Sequence, residues 1–72
     1  MKLEKQKITL NERDSLLDVL YIHERLAELY LQGASIVDRK EVRELLKKRL
    51  SEVLDEIYFL RDLIKRLQNW QE

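Results

Sequence analysis

Apolar residues recur along the second half of the chain with the spacing of a helix that packs on one side. From Leu46 to Leu67 they follow each other at intervals of 4, 3, 4, 3, 4 and 3 residues. This heptad spacing is typical of helices that contact another helix along a seam. It predicts a helix over residues 38–70, about 50 Å long at 1.5 Å per residue. The seam comprises Leu46, Leu50, Val53, Ile57, Leu60, Ile64 and Leu67.

The first half of the chain carries two apolar series instead of one. They comprise Leu16, Leu20, His23, Ala27 and Tyr30, and then Val19, Ile22, Leu26 and Leu29. A surface helix with one neighbour has one apolar stripe, so two series predict contacts with two neighbours. The predicted helix covers residues 12–32, with Asn11 as its N-cap or, alternatively, with Thr9 and Glu12 as a capping box. Residues 1–10 are either extended or a continuation of this helix.

The segment between the two helices contains residues that favour a short connection. Gly33 suits a left-handed cap at the end of the first helix. Ser35 and Asp38 both suit the N-cap of the second. A connection of about five residues is typical of antiparallel neighbours. We therefore predict a single all-α domain over residues 1–72, an antiparallel two-helix hairpin that pairs into a four-helix bundle or a coiled-coil-like oligomer.

Folding the chain about this connection predicts which residues face each other. Tyr30 lies opposite Val42, Ala27 opposite Leu46 and Leu16 opposite Ile57, so the first helix ends opposite Phe59. The apolar residues beyond Phe59 then lack cover, and each exposed large side chain forfeits about 1.5–3 kcal/mol. We expect a second chain to bury them. The predicted interface consists of Leu60, Leu63, Ile64, Leu67 and Trp70 from the second helix, with Val19, Ile22 and Leu26 from the first.

Composition narrows the possible functions. The 72 residues include 14 basic and 14 acidic side chains, no cysteine and one histidine. Disulfides, thiolate metal sites and zinc sites with several histidines of one chain are excluded. A core this small is usually supplemented by oligomerisation when disulfides and metals are absent. No apolar run reaches the ~18 residues of a membrane span, and the N-terminus lacks a signal-peptide pattern. We expect a cytoplasmic protein without enzymatic activity, cofactor, membrane contact or small-molecule substrate.

Two polar features remain as candidates for function. The start of the second helix is basic and could contact phosphates, although Glu24 and Glu28 are expected near Arg43 and Lys47, and Glu44 near Lys48. The basic residues are Arg39, Lys40, Arg43, Lys47, Lys48 and Arg49. His23 either fixes register as a buried polar residue, contacts its equivalent across a symmetry axis, or lies at the core edge with its ring hydrogen-bonded.

These patterns favour protein–protein association as the function. The expected partner is a second copy of the chain, in a homodimer, or another helical protein. The protein would be of a regulatory, adaptor or inhibitor type, acting through its helical apolar seams. The alternative is a hairpin dimer that binds RNA or DNA through the basic start of the second helix. Zero net charge argues against that alternative.

Overall fold

The computed structural model describes the backbone of residues 9–71 and the side chains of residues 9–67. Helix α1 spans Leu10–Ile36 and helix α2 spans Lys40–Gln71. The two helices pack against each other along their length, with residues near the end of α1 beside residues near the start of α2. The predicted all-α hairpin is confirmed. Most of the ambiguous segment 1–10 lies outside the described residues.

The start of α1 is closed by a capping box. The backbone N–H of Glu12 donates to Oγ1 of Thr9 at 3.0 Å, and the backbone N–H of Thr9 donates to Oε1 of Glu12 at 2.8 Å. Two N–H groups that lack partners within the helix are thereby satisfied. Of the two predicted caps, the Thr9–Glu12 pair is correct and Asn11 is wrong, because Asn11 already lies inside the helix.

Gly33 does not end α1, which continues to Ile36. Its backbone has no positive φ, so the predicted left-handed cap is wrong. The glycine instead allows α2 to approach closely, because a Cβ at this position would lie 3.3 Å from Cδ1 of Leu46. Val37 caps the C-terminus of α1: its backbone is extended, and its N–H donates to the carbonyl of Gly33 at 3.2 Å.

The connection is three residues long, 37–39, and neither predicted N-cap of the second helix lies at its start. Ser35 belongs to α1 and donates its hydroxyl to the carbonyl of Leu31 at 2.8 Å. Asp38 precedes the start of α2 by two positions. Arg43 ties the connection to α2, because its guanidinium donates to the carbonyls of Val37 and Asp38 at 3.4 and 3.2 Å.

The longer α1 changes the register between the helices. Leu46 lies beside Gly33, whereas the predicted hairpin placed it beside Ala27. The pairing is therefore displaced by six residues along α1, or about 9 Å at 1.5 Å per residue. The contacts of His23 with Glu56 and of Glu24 with Arg61 follow this displaced register. The predicted pairs of Tyr30 with Val42 and of Leu16 with Ile57 are accordingly wrong.

The displaced register also covers the end of α2. Ile64, predicted to lie beyond the reach of the first helix, is only 7% exposed within a single chain. Leu60, Leu63 and Leu67 are half-buried. For these four residues the expectation that they have no cover within their own chain is wrong, because α1 begins earlier than predicted and is displaced towards them. A charge at Ile64 would consequently disrupt the hairpin itself, with or without a partner.

The core is a single seam. Among the described side chains only Val53, Ile57 and Ile64 are buried, and Ile57 is the most enclosed at 4% exposure. The radius of gyration is 15.9 Å, against about 11 Å for a compact domain of this length. Two helices lying side by side make one layer of contact. The hairpin therefore leaves much of its apolar surface exposed.

Replacing Ile57 with alanine should destabilise the hairpin strongly. The change removes buried methyl groups and leaves a cavity at the most enclosed position, at a cost of about 2–5 kcal/mol. Leu31→Ala, at a side chain that is 56% exposed, is the matched control and should change stability by less than about 0.5 kcal/mol. Urea unfolding followed by far-UV circular dichroism measures both. Equal midpoints for the two variants would contradict the assignment of the core.

Candidate protein–protein interface

The two sides of the hairpin are distinguished by the residues that bridge the helices. On one side a groove runs between α1 and α2, with Leu26 and Tyr30 on one wall and Arg49, Glu52 and Glu56 on the other. On the opposite side Arg61 donates from Nη2 to Oε2 of Glu24 at 2.8 Å. Because side chains three and four residues apart share a helix face, these contacts assign the other residues to one side or the other.

The groove side, here called the open face, has an unbroken small-or-apolar stripe on α1. Its residues follow at intervals of 3, 4, 3, 4 and 3 from Val19 to Ile36. On α2 the open face is apolar at both ends and charged in the middle. The open face consists of Val19, Ile22, Leu26, Leu29, Gly33 and Ile36 on α1 and Val42, Leu45, Arg49, Glu52, Glu56 and Phe59 on α2.

Most apolar side chains of the open face are exposed to solvent. Ile22 is 60% exposed, Leu29 57%, Ile36 79% and Phe59 61%. Single exposed apolar residues are ordinary on protein surfaces, whereas contiguous ones are characteristic of binding sites. The α1 stripe is contiguous over five helical turns. This part of the surface is consequently suited to contact another apolar surface.

The charged middle of the open face is paired within the chain. Nη1 of Arg49 lies 3.2 Å from Oε1 of Glu52, one turn along α2. Both side chains are about half exposed, so this pair contributes at most about 1 kcal/mol to stability. The two charges are therefore free to exchange partners at little cost.

His23 lies at the edge of the core. Its Nδ1 is 2.9 Å from the carbonyl oxygen of Val19, and since a carbonyl only accepts, Nδ1 donates. Its Nε2 lies 3.4 Å from Oε1 of Glu56 on the other helix. Of the three predicted roles, the hydrogen-bonded position at the core edge is the one observed. The side chain, 23% exposed, links the two helices within one chain.

The residues of the predicted interface do not share one environment. Val19 and Ile22 are exposed on the open face, and Leu26 lines its groove. Ile64 belongs to the intrachain core, and Leu60, Leu63 and Leu67 border it. The side chain of Trp70 lies outside the described part. The structure thus brings the α1 members together on one surface, and separates them from Ile64.

Sequence reasoning missed several residues of the open face. Leu29 belongs to the second α1 series but not to the predicted interface. Ile36 falls in the predicted connection, because the first helix is expected to end at Gln32. Its position seven residues after Leu29 continues the same stripe, so the signal is present once the helix is extended through Gly33. Phe59 lies beside the predicted seam and Val42 within the basic segment.

The basic residues at the start of α2 are divided between helix faces and are partly paired within the chain. Lys40, Arg43 and Lys47 share one face because they are spaced 3 and 4 residues apart, whereas Lys48 and Arg49 point in other directions. Arg43 binds connection carbonyls, and Nζ of Lys47 lies 3.5 Å from Oε2 of Glu44. The predicted proximity of Glu24 and Glu28 to this cluster is wrong.

The displaced register explains that error. It places Glu24 beside Arg61, while Glu28 pairs with Arg25 one turn away. Glu44 was expected to pair with Lys48, but it pairs with Lys47 instead. Acidic and basic side chains are thus still interleaved along this part of α2, with different partners from those predicted.

We expect no specific binding of nucleic acid by the basic start of α2. Polarisation of labelled RNA and DNA duplexes at about 100 mM salt should give no submicromolar dissociation constant, because phosphate contacts need a clustered positive surface. The informative variant combines Lys40→Glu with Lys48→Glu, since Arg43 has a structural role in the connection. Submicromolar binding that this double variant abolishes would contradict the expectation.

The described residues contain neither a membrane span nor a metal-binding cluster. Neither helix, within residues 9–71, is long and apolar enough to cross a membrane. The same part of the chain includes no group of three or more histidine, cysteine, aspartate or glutamate side chains placed to hold a metal ion. Comparisons with protein-family models, with curated proteins and with solved structures give no match for this chain.

Proposed function

We propose that this chain is a protein–protein interaction module that associates with a second copy of itself through the open face. The observation that carries the proposal is the exposed apolar stripe from Val19 to Ile36 on α1. A helix that contacts only one neighbour does not need a second stripe. In this hairpin the first stripe faces α2 and the second faces solvent.

The free energy available from burying the open face is comparable with the stability of a small domain. Burying a large aliphatic or aromatic side chain stabilises by about 1.5–3 kcal/mol. Ile22, Leu29, Ile36 and Phe59 are each more than half exposed. A core of this size supplies only about 3–5 kcal/mol of net stability. Burying two of these side chains would therefore contribute a free energy comparable with the net stability of a domain of this size.

The dimensions of the hairpin also favour a second copy. Its principal extents are 50 × 20 × 15 Å. The broad side is comparable in area with the roughly 800 Å² that each partner contributes to a standard interface. Two copies placed face to face form a four-helix bundle, in which each α1 acquires its second neighbour. Closed two-fold dimers are the commonest arrangement of soluble homo-oligomers.

The activity of such a module is binding, with a regulatory, adaptor or inhibitor role in the cytoplasm. The apolar stripe would supply the affinity. The charges beside it would select partner and register, because mismatched charges across an interface weaken wrong complexes. A different helical protein with a matching stripe is the other partner class that this chemistry accepts.

Leu29 and Leu31 provide a matched pair for testing the proposal. They are the same residue type on the same helix, 57% and 56% exposed, and only Leu29 belongs to the open face. Lysine has nearly the helix propensity of leucine, so both changes preserve α1. Leu29→Lys should shift the assembly to monomers, because a charge in the dry part of a contact costs several kcal/mol. Leu31→Lys should leave the mass of the assembly unchanged.

Sedimentation equilibrium of the unaltered chain and both variants measures these masses. Far-UV circular dichroism verifies that each variant is helical. A monomeric unaltered chain would contradict self-association and leave a different helical protein as the partner. Equal loss of assembly in both variants would show that the contact lies elsewhere on the hairpin.

A further inference from the structure

The open face is self-complementary under one particular two-fold rotation, and this symmetry specifies how two copies would meet. We propose that α1 packs antiparallel against α1 of the second copy, about an axis perpendicular to the helices that passes between Ala27 and Glu28. This inference rests on the proposed self-association and adds its geometry.

The α1 stripe supports this arrangement because its positions pair symmetrically. Rotation about the axis places Leu26 against the partner's Leu29, and Val19 against the partner's Ile36. The spacing of the stripe is the same in both directions, so each of its six positions meets another. Every resulting contact on α1 is between small or apolar residues, as the dry centre of an interface requires.

Gly33 fits the same arrangement through its size. The rotation brings Ile22, which is 60% exposed, over the partner's Gly33. The absence of a Cβ removes bulk at this point of α1, and the space it would take is approached within the chain by Cδ1 of Leu46, 3.3 Å away. A large residue opposite a small one is how packed helices interdigitate. Gly33 therefore presents no side chain of its own to clash with the partner's Ile22.

Two of the three charged residues on the α2 side of the open face, Arg49 and Glu52, are complementary under the same rotation, while Glu56 lies towards the partner's Leu45. In the observed register the middle of the α1 stripe is level with the segment of α2 that contains Arg49 and Glu52. The two α2 helices also meet antiparallel there, so Arg49 faces the partner's Glu52 and Glu52 faces the partner's Arg49. Further out, Val42 lies towards the partner's Phe59. The half-exposed pair within each chain is thereby replaced by two pairs across the axis.

The other two-fold arrangement of an antiparallel bundle is disfavoured by the same residues. Its axis runs along the helices and places α1 of one copy over α2 of the other. Leu26 would then face the partner's Glu52, and Leu29 the partner's Arg49. Charged side chains would lose water against aliphatic ones without gaining an opposite charge, which is costly.

Because the chain contains no cysteine, disulfide formation between single-cysteine variants tests the geometry directly. Val19→Cys and Ile36→Cys should cross-link when the two variants are mixed, since the rotation makes these positions opposite each other. Neither should cross-link alone, because equivalent residues lie about 25 Å apart along the helix axis, beyond the reach of a disulfide. Mass spectrometry separates mixed from unmixed dimers. Leu17→Cys mixed with Leu31→Cys, both on the opposite face, is the control and should give no preference for the mixed product.

A spin label at Asn11→Cys, an exposed position near the start of α1, gives an independent measurement. The proposed arrangement separates the two labels by about 50 Å along the helix axis. The other two-fold arrangement places them about 14 Å apart, across the diagonal of a bundle with ordinary interhelical distances. A short distance would overturn the proposed geometry even if the cysteine variants on the open face fail to fold.

The mass of the assembly that the unaltered chain forms in solution distinguishes a failure of the proposed geometry from a failure of the proposed self-association. A dimer that forms the mixed disulfide and has the long label distance is the expected result. A dimer without preference for the mixed disulfide, or with the short distance, would overturn this geometry and leave the proposed self-association standing. A monomer would overturn both.

Discussion

The contact between α1 and the seam of α2 is the interaction on which the rest of this structure depends. Val53, Ile57 and Ile64 are the buried side chains of the described residues, and all three lie on that seam. Most of the stability of a helix in a protein comes from packing its apolar face, so each helix depends on the other's apolar side. The register of this one contact decides which residues become core and which remain on the surface.

That register leaves the chain with an unequal distribution of apolar surface. Ile64 is buried, and Leu60, Leu63 and Leu67 are half-buried, because α1 reaches them, while the second stripe of α1 faces solvent. Two helices alone cannot enclose an apolar surface that extends around one of them. The elongated shape and the exposed Ile22, Leu29 and Ile36 are consequences of the same geometry. Self-association through the open face would give α1 the second neighbour that its sequence pattern favours.

Much of this architecture could be predicted from the residue pattern. The uninterrupted spacing from Leu46 to Leu67 indicated α2, and Thr9 with Glu12 supplied one of the two predicted caps. The spacing also located the second apolar stripe of α1. These features are local, because they depend on residues within a few turns of each other.

The register could not be predicted from the same local signals. A glycine between two helices suits a left-handed cap, and nothing in the neighbouring residues reveals that Gly33 instead allows Leu46 to come close. Extending α1 through Gly33 moves the middle of the connection from residue 35 to residue 38. Each one-residue shift of the turn in an antiparallel hairpin changes the partner of a given residue by two positions. The resulting displacement of six residues buried Ile64 and moved the exposed apolar surface from the end of α2 to α1.

A second copy that covers the open face should stabilise the hairpin. The concentration dependence of thermal unfolding tests this most directly. Partner binding to the folded state raises the melting temperature as the concentration rises, so circular dichroism between about 1 and 100 µM gives the answer. Self-association through the open face predicts a melting temperature that increases with protein concentration throughout this range, with a single cooperative transition. A melting temperature independent of concentration, with sedimentation giving the 8.8 kDa mass of one chain, would contradict it.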